Sequence, residues 1–294
     1  MKKPALLKLF GMLLFFALFI PNSANAGTPL SVYVSIPPQS HFVKAIGGAH
    51  VNISVMVSPG ESPASYEPSP RQMVKLARAD IYFAIGVPFE AAWLDKFADA
   101  NPDMRIIHTA DGIEKRPIHR HMGHHKTGYS HEGIKDPHVW LSPPLVMLQA
   151  RHIITALASL DPGNTADYKK NYAGFINRLV ELDTHLLKTF TGIKRPQFMV
   201  FHPSWGYFAD AYGLEQIAIE IEGKDPKAKD VTALIQTARK NDISIIFAQP
   251  QFSVKQAKII AREIGATIVQ ADPLAENWEQ NLKQVASAIK EELK

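Results

Sequence analysis

The chain has 294 residues, no cysteine and a formal charge of +4, from 32 basic and 28 acidic residues. Lys2, Lys3 and Lys8 lie ahead of Ala26 and no acid does, so the remainder is close to neutral and gives no electrostatic case for nucleic acid. Disulfides are excluded, and a chain of this length is expected to bury apolar cores in two domains.

The first predicted element is an export signal over 1–26. Met1-Lys2-Lys3 is a positive start, an apolar run covers about 9–20, and Ala24-Asn25-Ala26 is a small-residue cleavage pattern ahead of Gly27. The run is shorter than the roughly 20 residues of a spanning helix. Cleavage after Ala26 is therefore expected, with an uncleaved anchor as the alternative. There is no cysteine at the cleavage site to carry a lipid, and no second long apolar stretch follows, so the mature chain is expected to be soluble and periplasmic.

Strand-like runs then alternate with amphipathic stretches. Strands are predicted over 30–36, 51–57, 81–86 and 105–110, with helices such as 71–79 and 89–98 between them. A helix is predicted to start near Ser142. Further strands are expected over 197–201, 216–221, 243–248 and 267–270, with helices over 229–240 and 254–264 and a last one after Asn277. Near-continuous Val/Ile runs separated by helices predict an α/β fold of mainly parallel sheets covered on both faces.

The longest helical pattern lies between these halves, over 164–190. Tyr168, Tyr172, Phe175, Leu179, Leu182, Leu186 and Phe190 recur at spacings of three and four, with Asp161-Pro162-Gly163 before them and Gly192 after. A helix of about 40 Å can bridge two lobes, although one long helix of a single domain fits the same pattern. The expected division is an N-terminal lobe over 27–160, a linking helix over 161–193 and a C-terminal lobe over 194–294.

Residues 112–135 show no period and read as a polar insertion. They hold His119, His121, His124, His125 and His131, five of the chain's 12 histidines. Imidazole suits zinc, copper and nickel, and a cluster on a loop can contact metal; a solvated loop rich in histidine is the plainer reading. Three other residues stand at strand ends or helix starts, where ligands converge in open α/β sheets. His138 precedes the helix near Ser142, His202 follows the strand over 197–201, and Asp272 follows the strand over 267–271. Two imidazoles and a carboxylate make a plausible zinc set. Any one of the three alone is more often a helix cap or a satisfied core polar group.

Several stretches carry a family resemblance in order along the chain: Gly60-Glu61-Ser62-Pro63-Ala64-Ser65-Tyr66-Glu67-Pro68, Asp136-Pro137-His138-Val139-Trp140-Leu141-Ser142-Pro143, Phe201-His202-Pro203, Tyr212-Gly213-Leu214, Phe247-Ala248-Gln249-Pro250-Gln251-Phe252 and Asp272-Pro273-Leu274. In these the chain resembles the zinc- and manganese-binding proteins of ABC uptake systems, the cluster A-I substrate-binding family. The resemblance implies two α/β lobes joined by one long rigid helix, with a metal ion held between them as transported ligand. It also implies a permease and a separate ATPase as partners, and a monomer is expected.

Carried over position by position, the family's ligands fall on His138, His202 and Asp272. The first does not carry over, because Ala64 stands where relatives have histidine. Gln249 stands where many have glutamate and is read, with Glu67, as a residue behind the ligands. Water, a loop histidine, Glu67, Glu61 or His41 are the candidates to fill the gap at Ala64. Two histidines, one acid and a His-rich loop favour Zn2+ over Mn2+, with nickel, copper and cobalt left open. A binding protein is expected rather than an enzyme. A zinc hydrolase would share the ligand pattern, but this chain has no HExxH motif, and a periplasmic zinc-buffering protein remains the alternative among binders.

Overall fold

The computed structural model describes residues 28–118, 135–194, 196–221 and 224–293. The expected export signal and all five clustered histidines, from His119 to His131, lie outside the described residues.

Segments that are apolar on both faces need cover on both sides, which favours parallel sheets between helices. The structure has two. β1 (Leu30–Val34), β2 (Val51–Val55), β3 (Ile81–Ala84) and β4 (Arg105–His108) form an all-parallel sheet in the order β2-β1-β3-β4. β5 (Gln197–Val200), β6 (Glu215–Ala218), β7 (Ile245–Ala248) and β8 (Thr267–Gln270) form a second in the equivalent order β6-β5-β7-β8. In each, the chain leaves the first strand to one side and returns on the other, so a crevice opens at the carboxyl ends of β1/β3 and of β5/β7.

Among the described residues, helices α1 (Pro37–Gly47), α2 (Pro70–Leu76), α3 (Glu90–Ala100), α4 (Pro143–Leu160), α5 (Thr165–Phe190), α6 (Gly206–Ala211), α7 (Ala228–Lys240), α8 (Lys255–Ile264) and α9 (Trp278–Glu292) surround these sheets. Local chemistry sets several ends. Pro37-Pro38 opens α1, where a missing N–H costs nothing. Ser69 and Gln72 form a reciprocal cap on α2.

α5 is 26 residues long and buries Tyr168, Phe175, Leu179, Leu182, Leu186 and Phe190, the stripe that the spacing predicts. It packs against α1, α4 and α9. α9 lies beside it: Trp278 meets Phe42 of α1 edge-on at 5.0 Å, while the Glu292 carbonyl accepts from Ser244 Oγ at 2.7 Å, just ahead of β7. α9 thus runs beside α5, the one long helix that the sequence predicts, and touches both halves.

The strands of the second sheet show how cover is divided. Phe198 and Val200 face a large core shared with the first sheet, α4, α5 and α9. Met199 and Phe201 face a smaller core with Ile217, Ile246 and Ile260 beneath α7 and α8.

Candidate metal centre

The crevice of the first sheet is filled by the protein itself. Glu90 is buried there and accepts from Ser35 Oγ, from Ile85 N at 2.9 Å and from Gly86 N at 2.7 Å. Gln39 reaches across, accepting from Ser35 N at 3.0 Å and donating to the Phe83 carbonyl at 3.0 Å. Burial raises the Glu90 carboxyl above its ordinary value, against these hydrogen bonds.

The crevice of the second sheet carries His202 instead. Gln249, directly after β7, clamps that residue's main chain: its Oε1 accepts from His202 N at 2.9 Å and its Nε2 donates to the His202 carbonyl at 2.6 Å. The parallel pairing of β5 and β6 continues past the strand ends, with Glu220 N donating to the Phe201 carbonyl at 3.1 Å. That register brings the buried Glu220 carboxylate to His202, whose Nδ1 lies 2.8 Å from Oε1. Phe252 stacks on the imidazole at 4.8 Å.

His138 arrives from the other side, as the residue capping a single helical turn over Val139–Leu141. Asp136 makes the turn that holds it. Its Oδ1 accepts from His138 N at 3.0 Å, a side-chain-to-backbone bond two residues on, and lies 2.7 Å from His138 Nδ1. Asp136 is fully buried. Burial holds the His138 imidazole below its ordinary range, against the pull of Asp136; His202 adds to the lowering and Glu220 opposes it.

A carboxylate can only accept, so both Nδ1 atoms carry the proton and both Nε2 atoms keep a lone pair while the rings are neutral. The two rings face each other with centroids 5.2 Å apart and planes 68° apart.

Asp272 lies in a neighbouring segment braced to the same region. Trp140 Nε1 donates to the Pro273 carbonyl at 2.7 Å, and Trp278 Nε1 donates to the Trp140 carbonyl at 2.8 Å. The Asp272 carboxylate is engaged by two segments, Oδ1 accepting from Gln251 Nε2 of the loop after β7 at 2.8 Å and from Leu274 N at 2.9 Å. Among the described residues no group of three or more His, Asp or Glu side chains is assembled to hold a metal. The structure therefore brings together His138 and His202, and holds the Asp272 carboxylate on Gln251, two residues beyond the Gln249 that clamps His202.

Of the candidates for the gap at Ala64, His41 is spoken for: its Nε2 lies 3.1 Å from Glu279 on α9, and its ring packs beside Phe175 and Trp278. Glu61 accepts from Ser58 N at 3.0 Å within its own loop, and Ala64 and Glu67 are exposed.

A family model described as the periplasmic zinc-uptake complex component A, ZnuA, matches residues 32–292. The chain belongs to the ZnuA family. A crystal structure of ZnuA superposes with a TM-score of 0.84 at 41% identity, covering 90% of this chain and 100% of that one. A zinc-bound deletion mutant of ZnuA gives 0.82, also at 41% identity, over 90% and 98% of the two chains. The zinc-binding lipoprotein AdcA of Streptococcus pneumoniae (strain ATCC BAA-255 / R6) is 28% identical over 296 residues, 96% of this chain. The chain spans about 57% of the length of that curated relative.

Within this ZnuA-family chain, the sequence singled out the two histidines but not the acids that hold them. Asp136 sits inside the Asp-Pro-His stretch itself, so its spacing to His138 was a usable signal. Glu220 is visible only once β5 and β6 are paired. No helix among the described residues is long and apolar enough to cross a membrane.

Proposed function

We propose that this chain is an extracytoplasmic binding protein that captures a divalent transition-metal ion, zinc first among them, and delivers it to an ABC permease driven by a separate ATPase. The observation that carries this reading is the pairing of His138 with His202. Two imidazoles on one tetrahedral zinc, with Zn–N near 2.0–2.1 Å, place their ring centroids about 5 Å apart. The rings here are 5.2 Å apart, and each is oriented by a buried carboxylate.

His138 and His202 supply nitrogen through Nε2. Asp272 supplies oxygen through Oδ2 once its segment settles against the ion, since its Oδ1 is taken by Gln251 and Leu274 N. Ala64 leaves the fourth direction to water. Nitrogen-rich ligation favours zinc over manganese, which takes more oxygen ligands. The lobes, 27–160 and 194–294, hold the ion between them, with α5 inside the linking segment 161–193. The Lys-rich start, apolar run and Ala24-Asn25-Ala26 support export and cleavage after Ala26. This is a carrier reading, not an enzymatic one.

Proteoliposomes containing the permease and ATPase of an ABC zinc-uptake system test it. Zinc uptake that rises with added wild-type protein and not with His138→Ala is the expected result; binding without any stimulation of uptake would point to a zinc buffer instead.

A further inference from the structure

The carboxylate that aims His138 is itself placed by a residue from the opposite half of the molecule. Asp136 Oδ2 is buried with no hydrogen-bond partner among the described residues, so the carboxylate is aimed by its backbone and by Oδ1. That backbone is fixed at two points. Asp136 N donates to the Arg116 carbonyl at 2.8 Å, and the Asp136 carbonyl accepts from the Tyr207 hydroxyl at 3.1 Å. The same hydroxyl accepts from Arg116 N at 3.1 Å, so its donor and an acceptor position are both used on the two strands of one stem. Pro117 and Lys135 extend that stem as an antiparallel bridge.

Tyr207 lies on α6, only five residues after His202. A second contact ties the same elements: Arg116 Nη1 reaches Asp210 Oδ2 of α6 at 2.7 Å. Gly206 permits the approach, since a Cβ there would lie 2.7 Å from Arg116 Nη1 and 3.0 Å from Asp136 Oδ2.

We propose that Tyr207, supported by Arg116 and Gly206, is a positioning clasp that fixes His138 against His202 across the two halves of the molecule and so keeps the pair spaced for a metal ion. The clasp rests on the two-histidine site proposed above. Holding the pair in place lowers the ordering cost of binding, which matters more where Ala64 supplies no ligand.

The test uses the purified full-length mature chain, with Zn2+ measured against a chelator and Co2+ followed by its visible absorption. Four variants are compared: Tyr207→Phe, Gly206→Ala, Tyr212→Phe and His138→Ala. Tyr212 also donates a buried hydroxyl bond, to Asp183 at 2.9 Å, and serves as the control. Loss of an outer partner of a metal ligand typically costs about 10–100-fold in affinity. Tyr207 acts one bond further out, so Tyr207→Phe and Gly206→Ala are expected to weaken Zn2+ binding about tenfold, the low end of that range, and to change the Co2+ bands even at saturation, with Tyr212→Phe at the wild-type value. A purely structural role for Tyr207 would leave the saturated Co2+ spectrum unmoved. Zn2+ affinity and Co2+ bands unchanged in Tyr207→Phe, with binding lost in His138→Ala, would overturn the clasp alone. Binding retained in His138→Ala would overturn the site beneath it.

Discussion

Glu220 stands 18 residues beyond His202 and accepts its Nδ1–H at 2.8 Å, an offset identical to the pairing of Gln197 with Glu215 on the same two strands. The bond is thus a product of sheet register: once β5 and β6 are aligned, a carboxylate arrives behind the imidazole. Asp136 does the same for His138 by a different route, a turn within three residues. One histidine is oriented by tertiary structure and the other locally.

Removing these carboxylates is predicted to weaken zinc binding without removing a ligand. Glu220→Gln and Asp136→Asn should each lower affinity by about 10–100-fold, because the ring loses its fixed tautomer and some basicity. Competition titration against a chelator measures this. Wild-type affinity in both variants would contradict the orienting role.

How much of this was legible in the sequence differs from residue to residue. The alternation of strands and helices and the α5 stripe from Tyr168 to Phe190 could be read directly, because burial at period 2 or 3.6 leaves its mark within a single segment. His138 and His202 were legible from their places beside helix starts and strand ends. Glu220, Tyr207 and the contacts of α9 were not, since each acts through contacts between segments far apart in the chain. Strand ends were read too long at 35–36 and 85–86, where Gln39 and Glu90 take over the backbone groups that apolar patterning assigned to the ladder. His41 was read as a possible neighbour of the site and instead pairs with Glu279.

The gap at Ala64 makes a prediction of the opposite sign. Ala64→His places there the side chain that the family resemblance implies, on an exposed loop that can accept it. Zinc affinity should rise at least about tenfold, or about 1.4 kcal/mol. No gain would mean that this loop does not face the ion.

Glu90 should make stability depend on pH without touching metal binding. Its folded carboxyl is raised above the ordinary value of 4.5 by burial, so the folded state favours the protonated form. Its stabilising contribution is complete below about 4.5 and is lost as pH rises through the raised folded value. Urea midpoints of wild type and Glu90→Gln, compared from pH 4 upward, should diverge in favour of the variant. Parallel curves would show that the surrounding hydrogen bonds offset the burial.

α5 should behave as core, not as a spacer. Leu182 is almost fully buried in the shared core, and Leu182→Ala is predicted to cost about 2–5 kcal/mol in chemical unfolding. A loss below about 1 kcal/mol would contradict the packing that ties α5 to both halves.

The paired histidines carry the central claim, and zinc titration calorimetry of metal-free protein tests it most directly. Two-histidine capture predicts one tight zinc per chain in the wild type. It also predicts a loss of more than about 100-fold in both His138→Ala and His202→Ala, beyond the range for outer partners. A tight single-site isotherm that survives in either variant would contradict it.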